Sequence, residues 1–225
     1  MSRRAEIRIE ALHLADFVHP PETPLAGQSG IVMAYVVIHT DGVLLFDSGI
    51  GIGYSGIDAA YRPTVHDLPN VLRAGGIEPD DIDALANSHL HFDHCGQNAA
   101  LPGRPIHVQA AEYEAATAGD YTIPGWVDFP GAQYVQHAGD VELFPGIRLV
   151  PTPGHTPGHQ SLLVDAADGR TAIVGQAVLS RAEWEGADDP SVSGLASAWD
   201  SERYRSSVRR LRAFKPDTVL FGHER

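Results

Sequence analysis

Residues 87–96 read NSHLHFDHCG, which puts three histidines and an aspartate into the six positions from 89 to 94. Bulky ionisable side chains crowd this densely where something cationic sits among them. His89 and His91, two apart at the end of a short apolar run (IDALANSH), can project the same way onto one ion. Asp93 and His94, in the turn that follows, can face a second ion. Neutral imidazole and carboxylate are the ligands expected for zinc or a similar divalent metal.

Two further histidines stand where strands run into loops. His155 lies in TPGHTPGH and His223 in LFGHER, both beside glycines that let the backbone turn sharply. The intervening sequence mixes strand and helix signals. EIRIEALHL alternates apolar and polar residues, and IVMAYVVIHT and VLLFDSG are β-branched runs separated by the turn dipeptide Asp41-Gly42. Leu68, Val71 and Leu72 share a helical face that Asp67 can cap and Gly75-Gly76 can end. PIHVQ, GIRLVPTPG, HQSLLVDA, RTAIVGQA and TVLFGH read as strands. AAEYEAATAG and DSERYRSSVRRLRAF read as helices, the latter capped by Asp200. TIPGWVDFPGAQ and residues 180–198 read as loops. Hairpins without strict βαβ alternation predict two mixed sheets packed face to face with helices outside.

Bulk properties bound the function. The 225 residues carry a net charge of −13, which argues against nucleic acid and anionic membranes as partners, because both need a basic footprint. Cys95 is the only cysteine, so no internal disulfide forms and a reducing, cytoplasmic setting is expected. No apolar stretch is long enough to span a bilayer, and the N-terminal segment lacks a signal-peptide core.

Taken together, LLFDSGIG, SHLHFDHCGQN, TPGHTPGHQSLLV and the terminal FGH resemble, in order and spacing, the metallo-β-lactamase superfamily and its N-acyl-homoserine-lactonase-like branch. The resemblance covers nearly the whole chain. It implies one domain over residues 1–225 with the αββα sandwich fold. It also implies a zinc-dependent hydrolase that opens a lactone or related ester, its small-molecule substrate. By the same resemblance His89, His91 and His155 match the ligands of a first metal, and Asp93, His94 and His223 those of a second. Asp93 also matches the group that passes a proton to the leaving alkoxide. Asp47 matches an aspartate beneath the site, and His159 a structural position.

Two positions depart from the family pattern. Where the family carries an aspartate bridging both metals, this chain has Gln176, which offers one neutral oxygen in place of two anionic ones. Gln176 is then either an atypical ligand or a neutral donor beside the site. The chain holds one or two ions accordingly, unless Glu183, Glu185 or Asp188 replaces the missing acid. Three residues on, where lactonases carry a tyrosine, stands Leu179. A thioesterase similar to hydroxyacylglutathione hydrolase is the alternative within hydrolases, and a non-catalytic metal- or ligand-binding protein the alternative outside them. Cys95 is expected to be a small buried residue, and histidines 13, 19, 39, 66, 107 and 137 to have ordinary roles. Loops 50–62, 118–132 and 180–198 are expected to wall the site, with Tyr54, Phe92, Trp126, Trp184 and Trp199 as candidate lining or core.

Overall fold

The structure, a computed structural model, describes residues 7–23, 25–119, 121–186 and 193–225. Seven strands form the first sheet: β1 (Arg8–Val18), β2 (Ser29–His39), β3 (Gly42–Phe46), β4 (Thr64–Val65), β5 (Ala84–Ala86), β6 (Pro105–Gln109) and β7 (Gln133–His137), in the order β4-β1-β2-β3-β5-β6-β7. Five form the second: β8 (Val141–Phe144), β9 (Ile147–Pro151), β10 (Gln160–Ala166), β11 (Gly169–Ile173) and β12 (Thr218–Leu220), in the order β12-β11-β10-β9-β8.

Alternation along the strands builds three apolar layers. On β2 and β3, Tyr35, Val37, Leu44 and Phe46 face Leu149, Leu162, Val164 and Ile173 of the second sheet, and this layer joins the sheets. The intervening Ala34, Val36 and Leu45 turn outward onto Leu68 and Leu72. Those two leucines belong to α2 (Leu68–Ala74), whose cap Asp67 accepts from the Asn70 N–H at 3.2 Å. Val150, Leu163 and Ala172 face outward from the second sheet onto Leu211 of α7 (Ser201–Ala213). Asp200 caps α7, accepting from the N–H groups of Glu202 and Arg203. The result is the helix–sheet–sheet–helix sandwich expected.

The sequence reading missed β7 and β8. Both are short edge strands whose side chains are half-buried or exposed. The expected loops also contain helices: α1 (Ser55–Tyr61) lies within 50–62, α5 (Pro124–Val127) within 118–132, and α6 (Arg181–Glu185) within 180–198. The remaining helices are α3 (Phe92–Cys95) and α4 (Ala110–Thr117). No helix among the described residues is long and apolar enough to cross a membrane.

β3 runs parallel to β5, and β11 to β12, so their C-terminal ends lie at the same edge within each sheet. The histidine-rich turn after β5, Asp47 after β3, His155 after β9, Gln176 after β11 and His223 after β12 meet at one end of the sandwich.

Candidate metal centre

Asp47 begins the construction. Its backbone takes the left-handed conformation (φ 66°), and its buried carboxylate turns back under the histidine turn. It accepts from the Ser88 N–H at 2.7 Å, the Ser88 hydroxyl at 2.9 Å and the His94 Nδ1–H at 2.9 Å. With its proton donated to Asp47, Ser88 Oγ is left to accept from His89 Nδ1–H at 3.0 Å. His223 Nδ1–H donates to the Ile31 carbonyl at 2.8 Å. These bonds place a proton on Nδ1 of His89, His94 and His223 and turn their Nε2 atoms inward, where a metal can take them.

The Nε2 atoms then meet others. His89 Nε2 lies 3.0 Å from His91 Nδ1, which lies 3.2 Å from His155 Nε2. His94 Nε2 lies 3.2 Å from His223 Nε2, and the Asp93 carboxylate lies 3.7 and 3.6 Å from those two nitrogens. Nitrogens this close share either a proton or a cation, and no further bond among the described residues fixes the His91 tautomer. Tetrahedral ligands at zinc–nitrogen distances stand about 3.3 Å apart, so both triads have the spacing of a ligand set. His155 Nδ1 and Gln176 Oε1 are buried without a hydrogen-bond partner.

Electrostatics agree with the geometry. Burial, reinforced by neighbouring imidazoles, pushes His89 and His155 well below the usual histidine range. Burial takes His91 to about 4. The rings are therefore neutral and available to a metal at ordinary pH. His94 goes the other way: burial opposes its charge, but Asp93 and Asp47 outweigh burial and raise it. Asp93, though buried, is held low by His94, His223 and His91.

Glu112 of α4 is the residue that sequence reasoning missed. Its buried carboxylate accepts from the Leu90 N–H at 2.8 Å, the Thr156 hydroxyl at 2.6 Å and the Gly158 N–H at 3.1 Å, and from the Tyr121 hydroxyl. It thereby ties the turn bearing His89 and His91 to the loop bearing His155. The Tyr121 ring lies 4.7 Å from that of His91. Only a lone glutamate on a short helix marks this tie in the sequence, and no spacing rule singles it out. His159 is structural, as expected: its Nε2 accepts from the Gln176 N–H at 3.0 Å, and its Nδ1 pairs with Thr152 Oγ1 at 2.9 Å. Cys95 is buried and its thiol is pushed up by burial, so it is no nucleophile.

A cavity of about 660 Å³ opens over the centre, floored by His91, Asp93, His155, Gln176 and His223. All three expected loops contribute walls, through Ile57 and Tyr61, Tyr121 and Ile123, and Ser193 and Ala196. A fourth segment, with Phe17, His19 and Leu25, was not anticipated. Of the five aromatics singled out in the sequence, Phe92 lines the cavity. Trp126 instead covers Gly51, Tyr54 and Trp199 are exposed, and Trp184 packs beside α7. Leu179 is in the wall. Glu183 does not replace the missing acid, because its carboxylate is committed to the Leu179 N–H, Ser193 and Tyr204. Glu185 is exposed, and Asp188 lies outside the described residues.

Comparison with known proteins agrees with this geometry. A profile of the metallo-beta-lactamase superfamily matches residues 27–223. An N-acyl homoserine lactonase from Bacillus sp is 39% identical over 162 residues, which are 70% of this chain and 62% of that one. The chain thus spans less than two thirds of the length of that relative. The lactonase AttM of Rhizobium radiobacter is 31% identical over 220 residues, covering 84% and 80% of the two chains. A solved N-acyl homoserine lactone hydrolase with the product N-hexanoyl-L-homoserine at its catalytic metal centre superposes with a TM-score of 0.81. It is 27% identical, with 100% of this chain and 94% of that one covered.

Proposed function

The chain belongs to the metallo-beta-lactamase superfamily, and from that we propose that it is a metal-dependent hydrolase of lactones or closely related esters, acting as one domain over residues 1–225. The carrying observation is the pair of inward-facing donor triads, His89/His91/His155 and Asp93/His94/His223, under an apolar-walled cavity. We assign these as ligands for two divalent ions, zinc being the metal suited to their imidazole-rich set.

Bound there, such ions supply Lewis acidity that polarises an ester carbonyl and acidifies water. The chain's own residues do the rest. Phe17, Leu25, Ile57, Tyr61 and Ile123 hold the apolar part of the substrate and exclude water around it. Asp93, kept ionised by three neighbouring imidazoles, takes the proton released during attack and delivers it to the departing alkoxide oxygen. In a lactone that oxygen remains tethered to the acyl carbon chain, so one molecule of hydroxy acid leaves. Asp47 and Ser88 keep His89 and His94 in the required tautomers throughout.

Metal analysis of purified protein, alongside turnover of acyl-homoserine lactones, simple lactones, esters and thioesters, tests the proposal. Two ions per chain with preferential lactone opening is the expected result. Turnover confined to thioesters, or none by the fully loaded protein, overturns it.

A further inference from the structure

Gln176 sits at the centre of the site in a form that invites a ligand. Its side-chain oxygen is buried with no partner at full hydrogen-bond geometry, the His94 ring being the polar neighbour that comes nearest to one. An orphaned buried acceptor costs about 1–3 kcal/mol, so its retention calls for a partner of another kind. The carboxamide lies beside His94 and shares the cavity floor with Asp93 and His223. Those three side chains turn their Nε2 and carboxylate atoms toward the same space, and an oxygen added to such a ring suits a cation.

The backbone beneath it is pinned. Gly175 has φ 57°, and a Cβ there would fall 2.7 Å from Ser88 Cβ and 2.9 Å from His159 Nε2. The Gln176 N–H donates to that same His159 nitrogen at 3.0 Å. The turn is thus locked against the histidine-rich segment, and the side chain extends from a fixed base. Among the described residues neither nearby glutamate supplies a second acid: Glu183 is spent on Leu179, Ser193 and Tyr204, and Glu224, which also lines the cavity, accepts from the Arg181 N–H at 2.8 Å.

Resting on the metal assignment above, we infer that Gln176 Oε1 is a neutral ligand of the ion held by Asp93, His94 and His223. The second ion then has one anionic ligand, Asp93, and is bound more weakly than the first, which keeps His89, His91 and His155. The two sites load at different metal concentrations, and the mononuclear form is a populated state of the protein. The competing arrangement turns the carboxamide round, so that its NH2 donates to His94 and no metal bond exists.

Titrating metal-free protein with Zn²⁺ against a chromophoric chelator, and with Co²⁺ by its visible spectrum, resolves the two affinities. Gln176→Met keeps the side-chain length and removes the oxygen; Gln176→Glu keeps the reach and adds a charge. The expected result is a second-site affinity weakened about 10-fold or more by Met and strengthened about 10-fold or more by Glu, with a changed Co²⁺ spectrum in each. First-site affinity, unchanged in both, reports that the fold is intact. A second-site affinity unmoved by Met overturns the inference. Should the Met variant not fold, a Glu variant without tighter binding overturns it equally. Loss of hydrolysis by the fully loaded protein would count against the proposed function and leave these affinities as they are.

Discussion

The Leu90 backbone N–H donates to the Glu112 carboxylate across 2.8 Å, so that α4 holds the turn from which His89 and His91 emerge. The same carboxylate holds the Gly158 N–H and the Thr156 hydroxyl of the other metal-facing loop. Replacing Glu112 by Ala leaves two buried N–H groups without acceptors. Glu112→Ala should therefore lower unfolding free energy by about 3 kcal/mol or more, measured by urea denaturation. A loss below about 1 kcal/mol would show that water restores the bonds.

Asp47→Asn tests the support beneath the centre. Asparagine tolerates the left-handed backbone and can still accept from Ser88, but it lacks the charge that orients His94. Metal affinity at the site containing His94 should fall about 10- to 100-fold, read by chelator competition. Unchanged affinity would mean that packing alone aims the ring.

Acid should weaken the metal-free protein. Burial holds His91 near 4 and His159 near 3, against 6.5 for an unburied histidine. Between those values the unfolded chain binds more protons than the folded one. Stability is therefore full above about pH 6.5 and declines as pH falls toward 4, by up to about 1.4 kcal/mol per pH unit for each such residue. Urea midpoints in the presence of a chelator, taken from pH 7.5 to 5, should fall steadily; a flat series would refute the argument.

Leu179 lines the cavity, at a position where the sequence resemblance implies a tyrosine in lactonases. A phenol there adds a hydrogen-bond donor near the substrate carbonyl, of the kind that is worth about 10- to 100-fold in rate where geometry permits. Leu179→Tyr should raise kcat on lactones and leave KM nearly unchanged. A lower kcat/KM caused by a raised KM would show instead that the added bulk merely blocks the apolar wall.

Cys95, despite following a metal-facing histidine, should not react with a thiol reagent at pH 8 until the protein unfolds, because its sulfur is buried and its ionisation suppressed. Rapid stoichiometric labelling of the native protein would contradict this.

What the sequence revealed and what it hid follow from the same physics. Periodicity exposes elements with one apolar face, which is why β2, β3, α2 and α7 were readable together with their caps Asp67 and Asp200. The edge strands β7 and β8 are short and nowhere fully buried, and pass for loop. The histidines were legible because six donors in a fixed order are seldom accidental. Glu112 was not, since its role depends on carbonyl-free N–H groups 22 and 46 residues away that only folding brings near. Of the cavity aromatics only Phe92 was legible, for a similar reason: Phe17, Tyr61 and Tyr121 became lining through the approach of separate loops.

That separation between floor and walls has a practical side. The donors spring from strand ends locked by Asp47, Ser88 and Glu112, whereas the walls come from four segments of which only Tyr121, bonded to Glu112, shares in those locks. Laboratory evolution confined to residues 17–30, 57–61, 122–123 and 193–197 would vary what enters without disturbing what reacts. The molecule is in that sense already divided into a fixed engine and an exchangeable mouth.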